Sequence, residues 1–176
     1  ADIDGTNPAA PTHPDHLLGY RIRRSGALPV LPRHQTITNQ FGTIDVELVR
    51  PDLLLVPSTK GRGAPPPLEP AGIDQFQCYR VTRTRTRVKG LSIVDSLGSL
   101  TVEIKRPRRL CVPVEKNGAN PGAAQHTAVL TCYDSRVANS SLPFVAPQEL
   151  FVTNELGSVP LERLRATEVC VPSSLP

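Results

Sequence analysis

The sequence predicts an all-β protein made of three homologous repeats of about 55 residues, each with about four short strands. Three observations carry that prediction. A Tyr opens each unit, in Gly19-Tyr20-Arg21-Ile22, Cys78-Tyr79-Arg80-Val81 and Cys132-Tyr133-Asp134-Ser135. A Gly follows (Gly42, Gly98 or Gly157), and thirteen residues beyond it stands Leu55, Cys111 or Cys170, each followed by Val-Pro. A fixed offset with a fixed ending marks one structural unit copied three times. Finally, 19 prolines and 12 glycines oppose long helices, and apolar residues fall at every second position in Ile44, Val46, Leu48 and in Leu100, Val102, Ile104.

Residues 1–14 are polar and proline-rich, which predicts an extended N-terminal arm. Repeat one covers 15–73, repeat two 74–127 and repeat three 128–176. In each, the first predicted strand carries the Tyr. The second and third alternate apolar and polar residues, as in Gln35 to Thr38 and Ile44 to Leu48, with Phe41-Gly42 or Leu97-Gly98 supplying the turn. The fourth is the apolar run Leu53 to Val56 or Leu110 to Val112, stopped by Pro57 or Pro113. Ser58 to Pro67 and Glu115 to Gly122 have the composition of connectors. Connectors of this length favour tandem β modules in an elongated array. A pseudo-threefold β-trefoil or prism is the alternative.

Units this small bury little apolar surface. Aromatics are 4% of the chain and Trp is absent, so Leu and Val must fill the core. Four cysteines permit three pairings. Repeat one lacks both, with Gly19 and Leu55 in their places, while repeats two and three have both. Gain and loss in pairs favours Cys78–Cys111 and Cys132–Cys170 over free thiols or zinc. Each bridge closes a loop of about 35 residues and stabilises by roughly 4 kcal/mol in the chain-entropy treatment. Disulfides imply an oxidising compartment, extracellular or periplasmic and envelope-associated. No apolar run reaches the roughly 18 residues of a membrane span. The lack of an initiator Met and of a charged-then-apolar leader at Ala1 reads as a processed or trimmed chain.

The run Asp74-Gln75-Phe76-Gln77-Cys78-Tyr79, then Leu97-Gly98, then Leu110-Cys111-Val112-Pro113 with Glu115-Lys116-Asn117-Gly118, resembles an uncharacterised bacterial repeat of secreted proteins, a domain of unknown function. Its tandem copies read roughly Asp-His-x-x-Cys-Tyr, Gln-Phe-Gly and Leu-Cys-Val-Pro-x-Lys-Asn-Gly. Repeat one supplies Asp15-His16, Gln40-Phe41-Gly42 and Pro57-Ser58-Thr59-Lys60-Gly61 without the cysteines. Repeat three departs most, with Glu155-Leu156-Gly157 and with Ala166 where Pro51 and Pro107 stand. The resemblance implies secretion and a β-rich repeat, and no catalytic residues.

Charge is concentrated in repeat two, which has ten basic and four acidic residues. On a strand, Arg83, Arg85, Arg87 and Lys89 share one face, and Lys105, Arg106, Arg108 and Arg109 add a second cluster. Such a row suits a protein partner with an acidic surface, such as Glu155, Glu162 and Glu168 of a neighbouring subunit, or an acidic polysaccharide. A solvated edge strand kept from aggregating by its charges is the plain alternative. Nucleic acid is disfavoured because no aromatic stacking residues interleave the cations.

His13, Asp15 and His16, and the run Asp2 to Asn7, are fragments of metal-site patterns in a flexible arm and offer too few ligands. His34 and His126 stand alone. No Gly-x-Ser-x-Gly, His-Glu-x-x-His or phosphate loop occurs, and Asp45, Glu47 and Glu103 fall on alternating strands facing water. Tyr20, Tyr79 and Tyr133 read as core packing with a polar rim. These residues predict no enzyme, no cofactor and no metal. The expected function is a secreted, non-catalytic structural or assembly protein. A carbohydrate- or polyanion-binding module using the basic face is the alternative.

Overall fold

A computed structural model describes residues 1–23, 25–27, 30–69, 72–82, 84–118, 120–141, 145, 147–162 and 164–176. Its strands are β1 (Asp2–Ile3), β2 (His16–Arg21), β3 (His34–Asn39), β4 (Gly42–Arg62), β5 (Gln75–Val81) and β6 (Val88–Asp95). They continue with β7 (Gly98–Val114), β8 (Val129–Val137), β9 (Leu150–Asn154), β10 (Gly157–Leu161) and β11 (Glu168–Ser174). Single 3₁₀ turns lie at Ala10–Thr12 and Ala123–Gln125, and no α-helix occurs among the described residues. The fold is all-β, antiparallel and disulfide-stapled.

Each repeat has an opening strand (β2, β5 or β8), a hairpin (β3–β4, β6–β7 or β9–β10) and a closing strand. The hairpins turn on Gly42, Gly98 and Gly157, with φ of 109°, 143° and 119°. A side chain is strained there, which explains why the Gly recurs. In repeats one and two the predicted third and fourth strands are continuous, as β4 and β7. Register shifts beside Pro51 and Pro107 let the strand pass a residue that lacks an N–H. In repeat three they stay separate, as β10 and β11.

The expectation of separate tandem modules is corrected by the pairing. β5 pairs with β7 of its own repeat and also with β4 of the preceding one. β8 likewise pairs with β11 and with β7. An opening strand has two hydrogen-bonding edges, and the connector is long enough to bring its second edge against the previous closing strand. The three repeats therefore share one sheet. Pairing also returns from repeat three to repeat one through β11–β3, so β3, β4, β5, β7, β8 and β11 form a closed ring of paired strands, as the threefold alternative expects, with β2 added alongside β4.

Residues 1–14 are folded against the sheet rather than extended from it. β1 pairs with β6, through Asp2↔Val94 and Ile3↔Ile93, and Ile3 is buried. The segment repeats the connector before repeat three. Asp4-Gly5 and Asn117-Gly118 make the same left-handed turn, with φ of 50° and 75° against 51° and 76°. An Asn-Pro and a 3₁₀ turn follow in both.

Three apolar clusters form the core. Ile3, Leu91, Val102, Ile104, Tyr133, Val169 and Val171 make the first, and Ile37, Val46, Val81, Leu110 and Val129 the second. The third gathers Leu55, Phe76, Cys78, Cys111 and Cys132. Disulfides join Cys78 to Cys111 and Cys132 to Cys170. The two bridges meet across β7 and β8, with Cys111 Sγ 3.9 Å from Cys132 Sγ. Cys78, Cys111 and Cys132, from two repeats, thus share one core, while Cys170 is exposed.

Candidate functional site

The tyrosines build a recurring seat. In repeat one, Tyr20 on β2 and the end of β4 receive the hairpin of repeat three. Thr59 to Arg62 pair with Thr153 to Leu150, and Asn154 Nδ2 donates to Tyr20 Oη (2.9 Å) and to Ser58 Oγ (3.2 Å). In repeat three, Tyr133 and the end of β11 receive the hairpin of repeat one. Ser173 and Ser174 pair with Asn39 and Thr38, and Asn39 Nδ2 donates to Tyr133 Oη (2.8 Å) and Ser173 Oγ (3.3 Å). Phe41 then meets Tyr133 edge-on at 5.5 Å between ring centroids. Asn39 and Asn154 both stand three residues before the hairpin Gly, and Ser58 and Ser173 both follow the Val-Pro.

Repeat two holds the same elements, and among the described residues no hairpin strand pairs with them, although Glu155 at the tip of the repeat-three hairpin reaches Gln75 and Lys116. Tyr79 is half-buried and its hydroxyl has no hydrogen-bond partner among the described residues, whereas Tyr133 is fully buried. Burial raises the pKa of both phenols. Val112 is partly exposed, but its counterparts Val56 and Val171 are buried. β8 pairs with β7 only as far as Cys111, so residues 113–116 keep one edge without a strand partner among the described residues. Beside that edge, Gln75 Oε1 is buried without a partner while its Nε2 donates to Glu155. Val114 replaces the serine of the other two seats.

The basic residues of repeat two divide into two groups. Arg106, Arg108 and Arg109 belong to an ion-pair network internal to the chain. Arg109, with 6% of its side chain exposed, donates from Nε to Asp52 (2.7 Å) and pairs through Nη1 with Glu168. Arg80 Nε donates to Asp52 (2.7 Å), and Arg108 bridges Asp134 (3.0 Å) and Glu168 (2.7 Å). Arg106 adds a bond to Asp134 (3.0 Å). Burial pushes the Asp52 carboxyl up, yet the bonds from Arg109 and Arg80 outweigh it and hold the pKa below the usual carboxylate value. Two of the acids that could have met the basic row from a neighbour are thereby used within the chain: Glu168 in this network and Glu155 with Lys116.

Arg85, Arg87 and Lys105 form the second group. With Thr86, Glu103 and Arg136 they line a cavity of about 640 Å³. β6 begins only at Val88, so residues 84–87 are an extended connection rather than a strand. Thr82 and Thr84 bond to the backbone of Glu47 and Asp45, which turns the threonines inward and leaves Arg85, Arg87 and Lys89 exposed. Arg83 lies outside the described residues.

The remaining candidates are scattered. His13 lies 3.9 Å from Asp15, and both line a cavity of about 550 Å³ with His16, Lys60 and Asp95. Burial, helped by nearby Lys60, lowers the His16 pKa. His126 bonds Asp74 (2.7 Å) and His34 lies 3.7 Å from Glu47. Asp45 accepts from Thr36 (2.6 Å), and Glu103 accepts from Arg136 (2.7 Å). Among the described residues no group of three or more His, Cys, Asp or Glu converges, and no helix is long and apolar enough to cross a membrane. The latter says nothing of a β-barrel. Together with the disulfides it is compatible with an extracellular protein.

Sequence reasoning did not single out Asp52, Asn39 or Asn154. A signal existed for the first. Arg80 follows Tyr79 where Asp134 follows Tyr133, and Asp52 stands after Pro51 where Arg108 stands after Pro107. The same contact is made twice with its signs exchanged. No curated protein and no solved structure matches the chain. A family described as a repeat of unknown function (DUF7450) matches residues 16–141. That span runs from β2 through β8 and contains all of repeat two, so the chain belongs to this repeat family.

Proposed function

We propose that the protein is a secreted, non-catalytic structural subunit that joins an extracellular or bacterial-envelope assembly through strand addition at the end of β7. The observation that carries this reading is the seat of repeat two, with which no hairpin strand pairs among the described residues. Two of three equivalent seats hold a hairpin of the same repeat, and the third offers Tyr79, Val112, Val114 and an unpaired backbone edge. Unpaired strand edges are templates for pairing with another chain. The occupant is a hairpin of a second copy or of another chain bearing this repeat. Val114 in place of a serine suits an apolar contact better than a second hydrogen bond.

Sedimentation velocity across a concentration series tests the reading, comparing the wild-type chain with Glu115→Pro. Glu115 is exposed and occupies the position of Thr59 and Ser174, which pair with hairpin strands in the other seats. Proline there removes the N–H that a new strand needs and leaves the Gln75↔Val114 ladder in place. Wild-type association that Glu115→Pro abolishes, with unchanged Tm, supports the proposal. A wild-type monomer at every concentration, and in native material, removes it.

A further inference from the structure

Most arginines of repeat two are neutralised inside the chain, which makes the exceptions informative. Arg80, Arg106, Arg108 and Arg109 have carboxylate partners, and Arg136 holds Glu103. Arg85, Arg87 and Lys105 have no salt bridge among the described residues, although Arg87 lies near enough to Glu103 to add to the Arg136 bond in lowering its pKa, and all three line one cavity. Like charges gathered around a concavity repel, and the folded chain tolerates this only at a cost that a bound anion relieves. Four cations and one carboxylate line the cavity, and that carboxylate already accepts two bonds from Arg136 at 3.0 and 2.7 Å. The Thr86 hydroxyl oxygen, in the same lining, is buried without a partner among the described residues.

We infer that this cavity between the 84–87 segment, β7 and β8 is a binding site for a tetrahedral oxyanion, sulfate or phosphate, free or as the ester group of a polysaccharide. The chemistry favours that class over a carboxylate. A carboxylate is satisfied by a single two-pronged guanidinium; Arg136 Nε and Nη2 both donate to Glu103 Oε2. Three further donors on separate side chains match a tetrahedral anion whose oxygens are directed to several sides. Arg85 and Arg87 carry guanidinium forks and Lys105 an ammonium point charge, and all three line the cavity. Aromatic platforms are missing from the lining, so recognition rests on charge and is salt-dependent. The site is independent of the β7 edge, and the inference stands whether or not the chain assembles.

NMR titration of the intact protein with sodium sulfate, with sodium phosphate and with sodium acetate at constant ionic strength tests it. Saturable shifts confined to residues 84–87, 103–105 and 136 are expected for sulfate or phosphate, with acetate at least tenfold weaker. Arg87→Gln with Lys105→Gln should raise the apparent Kd about tenfold or more, while Arg62→Gln, at an exposed position elsewhere, should leave it unchanged. A sulfated oligosaccharide and its desulfated counterpart form the second arm. Binding of the sulfated form tighter than inorganic sulfate assigns the ester source, and equal affinity assigns the free ion. Shifts that are absent, non-saturable, equal for acetate or insensitive to the double variant overturn the proposal.

Discussion

Asp52→Asn isolates the contact that locks repeat one to repeats two and three. The Asp52 carboxylate accepts Arg109 Nε at 2.7 Å, Arg109 Nη2 at 3.2 Å and Arg80 Nε at 2.7 Å. The amide keeps one acceptor oxygen, turns an NH₂ toward a guanidinium and removes the charge. Arg80 is 39% exposed, so its share is that of a screened surface pair, below about 1 kcal/mol. Arg109 is 6% exposed and keeps only Glu168. Breaking a buried pair outright costs about 3–5 kcal/mol, and the surviving partner reduces this to roughly 2 kcal/mol. A total near 3 kcal/mol lowers Tm by roughly 6–12 °C in a chain of this size. The loss depends on pH. Because the folded pKa of Asp52 lies below its unfolded value, the stabilisation is fully present above the ordinary carboxylate range and disappears as pH falls through the folded pKa. Differential scanning calorimetry of both proteins should therefore show a gap at neutral pH that closes as pH falls through the folded pKa. A gap below about 1 kcal/mol at pH 7, or one unchanged in acid, refutes the reasoning.

Asn39→Ala and Asn154→Ala each remove two side-chain bonds from a filled seat and should each cost about 1–3 kcal/mol by chemical denaturation. Tyr20→Phe removes a bonded hydroxyl and should cost about 1 kcal/mol, whereas Tyr79→Phe should be neutral in the monomer, because the Tyr79 hydroxyl bonds no described residue. Replacing Cys78 and Cys111 together by Ala should destabilise the chain by about 4 kcal/mol, with one unfolding transition rather than the loss of repeat two alone. Gly98→Ala, at φ 143°, should destabilise by about 1 kcal/mol or more and weaken the β6–β7 turn.

Composition and repetition made the local structure legible. The hairpin Gly and period-two alternation gave strand type and order, whereas the proline expected to stop each closing strand does not end it: β4 runs past Pro57 to Arg62. The joining of the third and fourth strands was not legible, because Pro51 and Pro107 lack the N–H that a ladder needs; a register shift carries the strand past each. Pairing between repeats was not legible, because nothing in an opening strand says which of its two edges is covered. The first 14 residues looked unstructured by composition, although Asp4-Gly5 and Asn7-Pro8 match Asn117-Gly118 and Asn120-Pro121 position for position. At the candidate site, charge counting found the basic residues of repeat two but could not separate paired from unpaired ones. That division depends on Asp52, Asp134 and Glu168, which lie in other repeats.

Native-state hydrogen exchange on the intact, oxidised chain reads the shared sheet directly. If one sheet runs through all three copies, the β4–β5 and β7–β8 amides exchange only with global unfolding, with one common opening free energy. Three distinct free energies, or fast exchange at those two junctions beside slow exchange within each repeat, would mean that the copies fold separately and that the β7 edge is merely one module's margin.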